Sequence, residues 1–149
     1  MPATAAAALL CFVVSVADGD TLTARCGFAG LFHATRVRIA AIDAPERRQA
    51  FGPQSREHLV KLCLRKRAHI TVLERDRYGR SVATVRCQGQ DVSTAQVRAG
   101  MAWVYTSYAN NFPELVPLER QARQQRLGLW SQNRPTPPWQ YRLRYKKFD

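Results

Sequence analysis

The stretch VSVADGDTLTARC, residues 14–26, constrains the fold more than any other part of the chain. Runs of β-branched and apolar residues at 13–16 and 21–26 flank Asp18-Gly19-Asp20, whose residue types suit a tight turn, so the segment predicts an antiparallel hairpin. A turn centred between Asp18 and Gly19 sets Cys11 opposite Cys26, within disulfide reach across the two strands.

The rest of the chain supplies elements of both periods. HATRVRIAAID alternates, with Val37, Ile39 and Ala41 on one face and Arg36, Arg38 and Ala40 on the other. FGPQSREHLVKLCLRKR has a proline for an early helical position and Leu59, Leu62 and Cys63 at helical spacing. AHITVLE and RSVATVRC are two further strands joined across Asp76-Arg77-Tyr78-Gly79. DVSTAQVRAG predicts a short helix with Ser93 as N-cap, Gln96 three residues on, Val92 and Val97 as the hydrophobic staple and Gly100 past the end. PELVPLERQARQQRLG places Leu115, Leu118 and Ala122 on one stripe, with Pro117 in an early turn and Gly128 as a stop. Five strands with helices between and after them predict an α+β domain, a small closed barrel with helices packed outside. The end, SQNRPTPPWQYRLRYKKFD, is Pro-rich and then basic, with Arg142, Arg144, Lys146 and Lys147 among Trp139, Tyr141, Tyr145 and Phe148; it reads as a surface tail that adds non-specific phosphate contacts or, alternatively, as a solvated docking segment.

Charge narrows the partners. With 23 Lys and Arg against 11 Asp and Glu, the net charge of +12 favours a polyanion, with nucleic acid first and a merely basic surface as the alternative. Membrane association is disfavoured: the longest apolar stretch, residues 5–14, is too short to span, and no basic amphipathic helix stands out. A chain of 149 residues buries a core without needing metals or disulfides merely to fold, so its four cysteines need another explanation. They lack any C-x-x-C pair, which argues against a zinc ribbon or a thioredoxin motif. If Cys11 pairs with Cys26, Cys63 and Cys87 either pair or remain buried thiols, and an oxidising compartment is favoured. The Ala-rich start, MPATAAAALL, reads as the end of an export signal or as a disordered tail, and Leu10 before Cys11 rules out a lipidation site.

Four carboxylates stand out in so basic a chain. Asp18 and Asp20 flank the turn; Asp43 sits where a strand ends ahead of Pro45, and Glu46 follows three residues later. If the two segments are adjacent, Asp20 and Asp43 supply oxygens to a hard divalent cation that offsets their repulsion; otherwise each separately caps a turn. Arg38 and Arg80, the latter just after the Tyr78-Gly79 turn, offer planar forks to phosphate oxygens.

Taken in order, DGDT (18–21), VRIAAIDAPE (37–46), LVKLC (59–63), DRYGR (76–80), VRAGMAWVY (97–105) and ARQQRLGLW (122–130) resemble the staphylococcal nuclease family over residues 12–131. PTPPWQYR (135–142) is similar to the end of many bacterial members. The resemblance implies a five-stranded OB-fold barrel with three α-helices over residues 12–131, preceded by an N-terminal segment (1–11) and followed by the tail (132–149). It implies a Ca²⁺-dependent nuclease with its site at one rim. Asp20 and Asp43 match the calcium carboxylates. Ala44 stands where the family often has Thr and would contribute its backbone carbonyl. Glu46 matches the residue that activates water, and Arg38 and Arg80 match the phosphate-binding arginines. Tyr78 falls beside the cleft, Tyr105 falls near the family's active-site tyrosines, and RRQAFGPQS (47–55) departs from the loop of the founding member, as do the cysteines. The implied protein is a secreted or periplasmic monomer acting on DNA and RNA, with single-stranded regions preferred. A non-catalytic OB-fold nucleic-acid binder is the competing expectation, and an exported structural protein stapled by disulfides a third.

Overall fold

The computed structural model describes residues 8–28 and 31–145, so the expectations for residues 1–7 and for Lys146, Lys147 and Phe148 lie outside the described residues. In chain order the elements are β1 (Leu9–Asp18), β2 (Thr21–Phe28), β3 (Leu31–Ile39), β4 (Ile42–Asp43), α1 (Gly52–Cys63), β5 (Arg67–Arg75), β6 (Ser81–Cys87), β7 (Gln90–Asp91), α2 (Val92–Arg98), β8 (Trp103–Val104), α3 (Leu115–Gln124) and α4 (Pro138–Tyr145). The sheet runs β3-β2-β1-β5-β6-β7, and parallel pairing of Val37, Arg38 and Ile39 with Ser81, Val82 and Ala83 joins β3 to β6. The five long strands therefore close on themselves, giving the expected OB-type barrel. The sequence predicts three helices; the fourth among the described residues is α4, within the segment read as a surface tail.

The hairpin of β1 and β2 forms with Cys11 opposite Cys26, but by a different route from the predicted one. Asp18 pairs with Thr21, so the turn is Gly19–Asp20, one position later than expected. Without compensation that turn would set Cys11 opposite Phe28. Two irregularities, between Val13 and Ser15 and between Val16 and Asp18, each absorb one extra residue of β1 and restore the register. They also change which residues face inward: Val13 and Val16 are buried while Val14 and Ser15 between them are exposed. Both disulfides are present, Cys11–Cys26 across the hairpin and Cys63–Cys87 tying the end of α1 to β6.

Val13, Leu22, Val37, Ile39, Ile70 and Val85 fill the barrel and are almost wholly excluded from solvent, each contributing about 1.5–3 kcal/mol of burial. The stripe of α1 packs inward as Leu59, Leu62 and Cys63, and Pro53 sits in its first turn, as predicted. In α3, Pro117 falls in the first turn, where its missing N–H costs nothing, so the helix starts cleanly at Leu115. The cap of α2 differs from expectation. Asp91, not Ser93, is the N-cap, accepting from the Thr94 N–H at 3.0 Å. Ser93 and Gln96 are buried and make tertiary hydrogen bonds instead.

Strand β3 ends sooner than its alternation suggests. Ala40 and Ala41 are both buried, and Ala41 takes a left-handed backbone at φ 73°, a costly geometry for a residue with a Cβ. Three hydrogen bonds hold it: Ala40 N–H donates to the Ala83 carbonyl at 2.8 Å, the Ser93 hydroxyl to the Ala40 carbonyl at 2.8 Å, and Tyr105 N–H to the Ala41 carbonyl at 2.8 Å. The chain turns there into β4, whose Ile42 and Asp43 pair with Val104 and Trp103 of β8.

The turn between β1 and β2 lies against α1, and a Cβ at Gly19 would stand 1.8 Å from the Ser55 Oγ. The Ser55 hydroxyl is itself committed to the Met101 carbonyl at 2.6 Å. Gly19→Ala is therefore expected to lower stability by about 1–3 kcal/mol through overpacking, read as a lower midpoint in urea unfolding; an unchanged midpoint would contradict this close approach.

Candidate active site

The β1–β2 turn and the β3–β4 corner meet at one rim of the barrel. Asp20, buried in the turn, accepts a hydrogen bond from the Ala44 N–H on Oδ2 at 2.7 Å and from the Thr21 hydroxyl on Oδ1 at 2.8 Å. Asp43 is fully buried. The Arg38 guanidinium comes off β3 between them, its Nη2 3.5 Å from both Asp20 Oδ2 and Asp43 Oδ1, while its Nη1 donates to the Ile39 carbonyl at 2.9 Å. Two segments more than 20 residues apart thus present their acids to a single nitrogen. Glu46 lies on the loop that follows, and its N–H donates to the Gln49 side-chain oxygen at 3.0 Å.

Sequence reasoning missed the remaining occupant. Arg142, from α4, donates from Nη1 to Asp43 Oδ1 at 3.0 Å and to Glu46 Oε1 at 2.8 Å, and from Nη2 to Asp43 Oδ2 at 2.7 Å. A two-pronged guanidinium–carboxylate pair of this kind is among the stronger polar contacts available. Helical spacing held a signal for it: Trp139 and Arg142 are three residues apart after Pro138, which suits a first helical position, so they share a face. The Trp139 ring meets Trp103 at 5.5 Å and Tyr105 at 5.7 Å between centroids, both edge to face. Gln49 adds a tether by donating to the Thr136 carbonyl at 2.6 Å.

Burial governs the electrostatics of the rim. Burial, then the neighbouring Asp20 and Glu46 carboxylates, push the Asp18 carboxyl up to about 6, with Arg47 and Arg38 only partly opposing. Burial also raises the Asp43 carboxyl, against the hydrogen-bonded Arg142 and despite Arg38. The bond to Asp43 in turn holds Arg142 above the usual guanidinium value. Asp18, which the sequence reading noted only as a flank of the turn, belongs to this field.

Arg80 makes its ion pair away from these carboxylates. Arg80 Nε donates to Asp76 Oδ2 at 2.7 Å, and among the described residues no ion pair joins it to Asp20, Asp43 or Glu46. The exposed Tyr78 ring lies between Arg77 and Arg80, whose guanidinium carbons are 5.0 and 5.5 Å from its centroid. Tyr105 borders α4 through Trp139.

Among the described residues no three acidic, histidine or cysteine side chains gather into a ready-made metal cage. The donor chemistry nonetheless suits a hard divalent cation. Asp20 and Asp43 offer oxygen only, their segments are joined by a hydrogen bond, and the cluster already draws cationic groups to itself.

A second set of residues holds the turn in place. The Gln96 amide donates to the Gly19 carbonyl at 2.6 Å and to the Ser55 carbonyl at 3.2 Å, and its oxygen meets the His58 Nδ1. Gln96 is fully buried, so these carbonyls have no water to replace it.

A model of staphylococcal nuclease homologues matches residues 36–132. A protein of Escherichia coli O157:H7 described as an uncharacterized endonuclease is 43% identical over 133 residues, covering 89% of this chain and 84% of its own. A Haemophilus influenzae protein with the same description is 39% identical over 136 residues, covering 91% and 74%. A Shigella flexneri protein named micrococcal nuclease is 37% identical over 140 residues, covering 87% and 78%.

Replacing Gln96 by Leu, which fills the space but donates nothing, is expected to destabilise the protein by about 1–3 kcal/mol. Denaturant unfolding checks this; a neutral outcome would mean that the turn does not depend on the amide.

Proposed function

The chain belongs to the staphylococcal nuclease family, and from that premise we propose that it is a Ca²⁺-dependent nuclease hydrolysing phosphodiester bonds of DNA and RNA. The observation that carries this reading is the convergence of Asp20 and Asp43 on one cationic nitrogen, with the Asp20–Ala44 hydrogen bond holding their segments together. A pure nucleic-acid binder gains nothing from buried acids facing phosphate. The net charge of +12 supplies the long-range attraction that brings a polyanion to an acidic site.

Asp20, Asp43 and the Ala44 carbonyl would hold the cation, which when bound supplies positive charge to a non-bridging phosphate oxygen. Glu46 accepts the proton of the attacking water; its side chain is about one-third exposed, so water reaches it. Arg38, already at the carboxylates, turns its fork to an equatorial phosphate oxygen. Arg80, released from Asp76 at the partly exposed strand end, offers a second fork as negative charge builds in the in-line displacement. Tyr78 and Tyr105 border the strand's path, where ring stacking tolerates many base sequences and favours single-stranded regions. We assign the protein to the periplasm or the extracellular space as a monomer. Two disulfides support export, and among the described residues no helix is long and apolar enough to cross a membrane.

The test is digestion of single-stranded and plasmid DNA with Ca²⁺ and then with chelator. Cleavage is expected to disappear on chelation and return with Ca²⁺. Glu46→Gln is expected to retain Ca²⁺ and DNA binding while lowering kcat by about 10²–10⁴. Chelator-resistant cutting would overturn the Ca²⁺ requirement, and a wild-type rate in the Gln variant would remove Glu46 from the reaction.

A further inference from the structure

The C-terminal helix α4 does more than close the chain. Arg142 binds both oxygens of Asp43 and one oxygen of Glu46 in the same grip, so the acid that would hold the cation and the acid that would take the proton are engaged together. Arg38 approaches Asp43 Oδ1 as well, which leaves little of that carboxylate for another partner. A second cation on Asp43 would also face a fixed positive charge within a few ångströms, at a buried position where screening is weak.

The docking of α4 is slight. It has eight residues; Pro138 is its one fully buried side chain, Trp139 is half-buried against Trp103 and Tyr105, and Leu143 and Tyr145 are exposed. A helix this short gains little from its own backbone, so its place depends on the Trp139 contact, the Gln49 tether and the Arg142 pair. Trp103, on which Trp139 rests, is the β-bridge partner of Asp43, so helix and carboxylate share one support.

We propose that Arg142 is a tethered cation that occupies the Asp43–Glu46 site in competition with a divalent metal ion, so that α4 is a latch that cation binding releases. The latch rests on the reading of Asp20 and Asp43 as the cation site. While α4 is docked, both oxygens of Asp43 and one oxygen of Glu46 are engaged by Arg142. Undocking frees both acids in one movement. Apparent Ca²⁺ affinity is then reduced by the fraction of molecules with α4 in place.

Isothermal titration of the full chain with Ca²⁺, without nucleic acid, tests this in the wild type, Arg142→Gln and Trp139→Ala. The second variant keeps the guanidinium but removes its anchor. Both are expected to bind Ca²⁺ with a Kd lower by about tenfold or more, the scale of losing a competing charge-assisted hydrogen-bond pair. Hydrogen exchange at residues 138–145 of the wild type is expected to accelerate at saturating Ca²⁺. An unchanged or weaker affinity in Arg142→Gln overturns the latch, as does α4 protection that Ca²⁺ leaves unaltered. The two readings fail separately. Ca²⁺-dependent cleavage with no gain of affinity in Arg142→Gln removes the latch and keeps the nuclease. Tighter Ca²⁺ binding by Arg142→Gln without cleavage by any of the proteins removes the nuclease and keeps the latch.

Discussion

The hydrogen bond from the Ala44 N–H to Asp20 Oδ2 joins the tip of the first hairpin to the corner where β3 gives way to β4. Each side of that bond is held by a separate device. On one side Gly19 lets the turn press against Ser55 and Gln96 fills the gap with donors. On the other, the left-handed Ala41 is pinned from β6, α2 and Tyr105. Loosening either would separate Asp20 from Asp43, because the two acids come from different segments that meet at this bond. Much of the buried polar structure, which would otherwise be a cost, is arranged around this junction.

The site reverses the sign of the molecule around it. A chain of net charge +12 concentrates Asp18, Asp20, Asp43 and Glu46 at one rim, where burial, reinforced by neighbouring carboxylates, raises the carboxyls of Asp18 and Asp43. Guanidinium groups reach these acids from β3 and α4. The basic surface and the acidic rim serve different ranges. The surface attracts polyanions over distances near the screening length, whereas the rim presents oxygen donors that act at contact. A phosphate is repelled by the rim alone and accommodated only when positive charge stands between.

Several features were legible in the sequence because they are local. Alternation marked the barrel strands, helical spacing marked α1 and α3, and the Asp-Gly-Asp turn placed the hairpin. The acids and arginines of the rim were visible as residues in characteristic company. Where local reading went astray, a tertiary partner had outbid a local one. Ser93 looks like a cap but spends its hydroxyl on Ala40, which leaves Asp91 to cap α2. The turn sits one residue later than local reading placed it, and two bulges in β1 restore the register that sets Cys11 opposite Cys26.

The amino-acid order by itself determined which strands and helices exist, which family pattern they carry and which side chains could do chemistry, since these depend on neighbours within a few positions and on residue type. Tertiary structure alone decided that Arg142, nearly 100 residues after Asp43, grips Asp43 and Glu46, that Gln96 props the Asp20 turn, and that Arg80 rests on Asp76 instead. Those pairings follow from barrel closure and the docking of helices on it. A charge seeking a partner is satisfied by whatever the fold brings near, and nearness in space is not written in the spacing of the sequence.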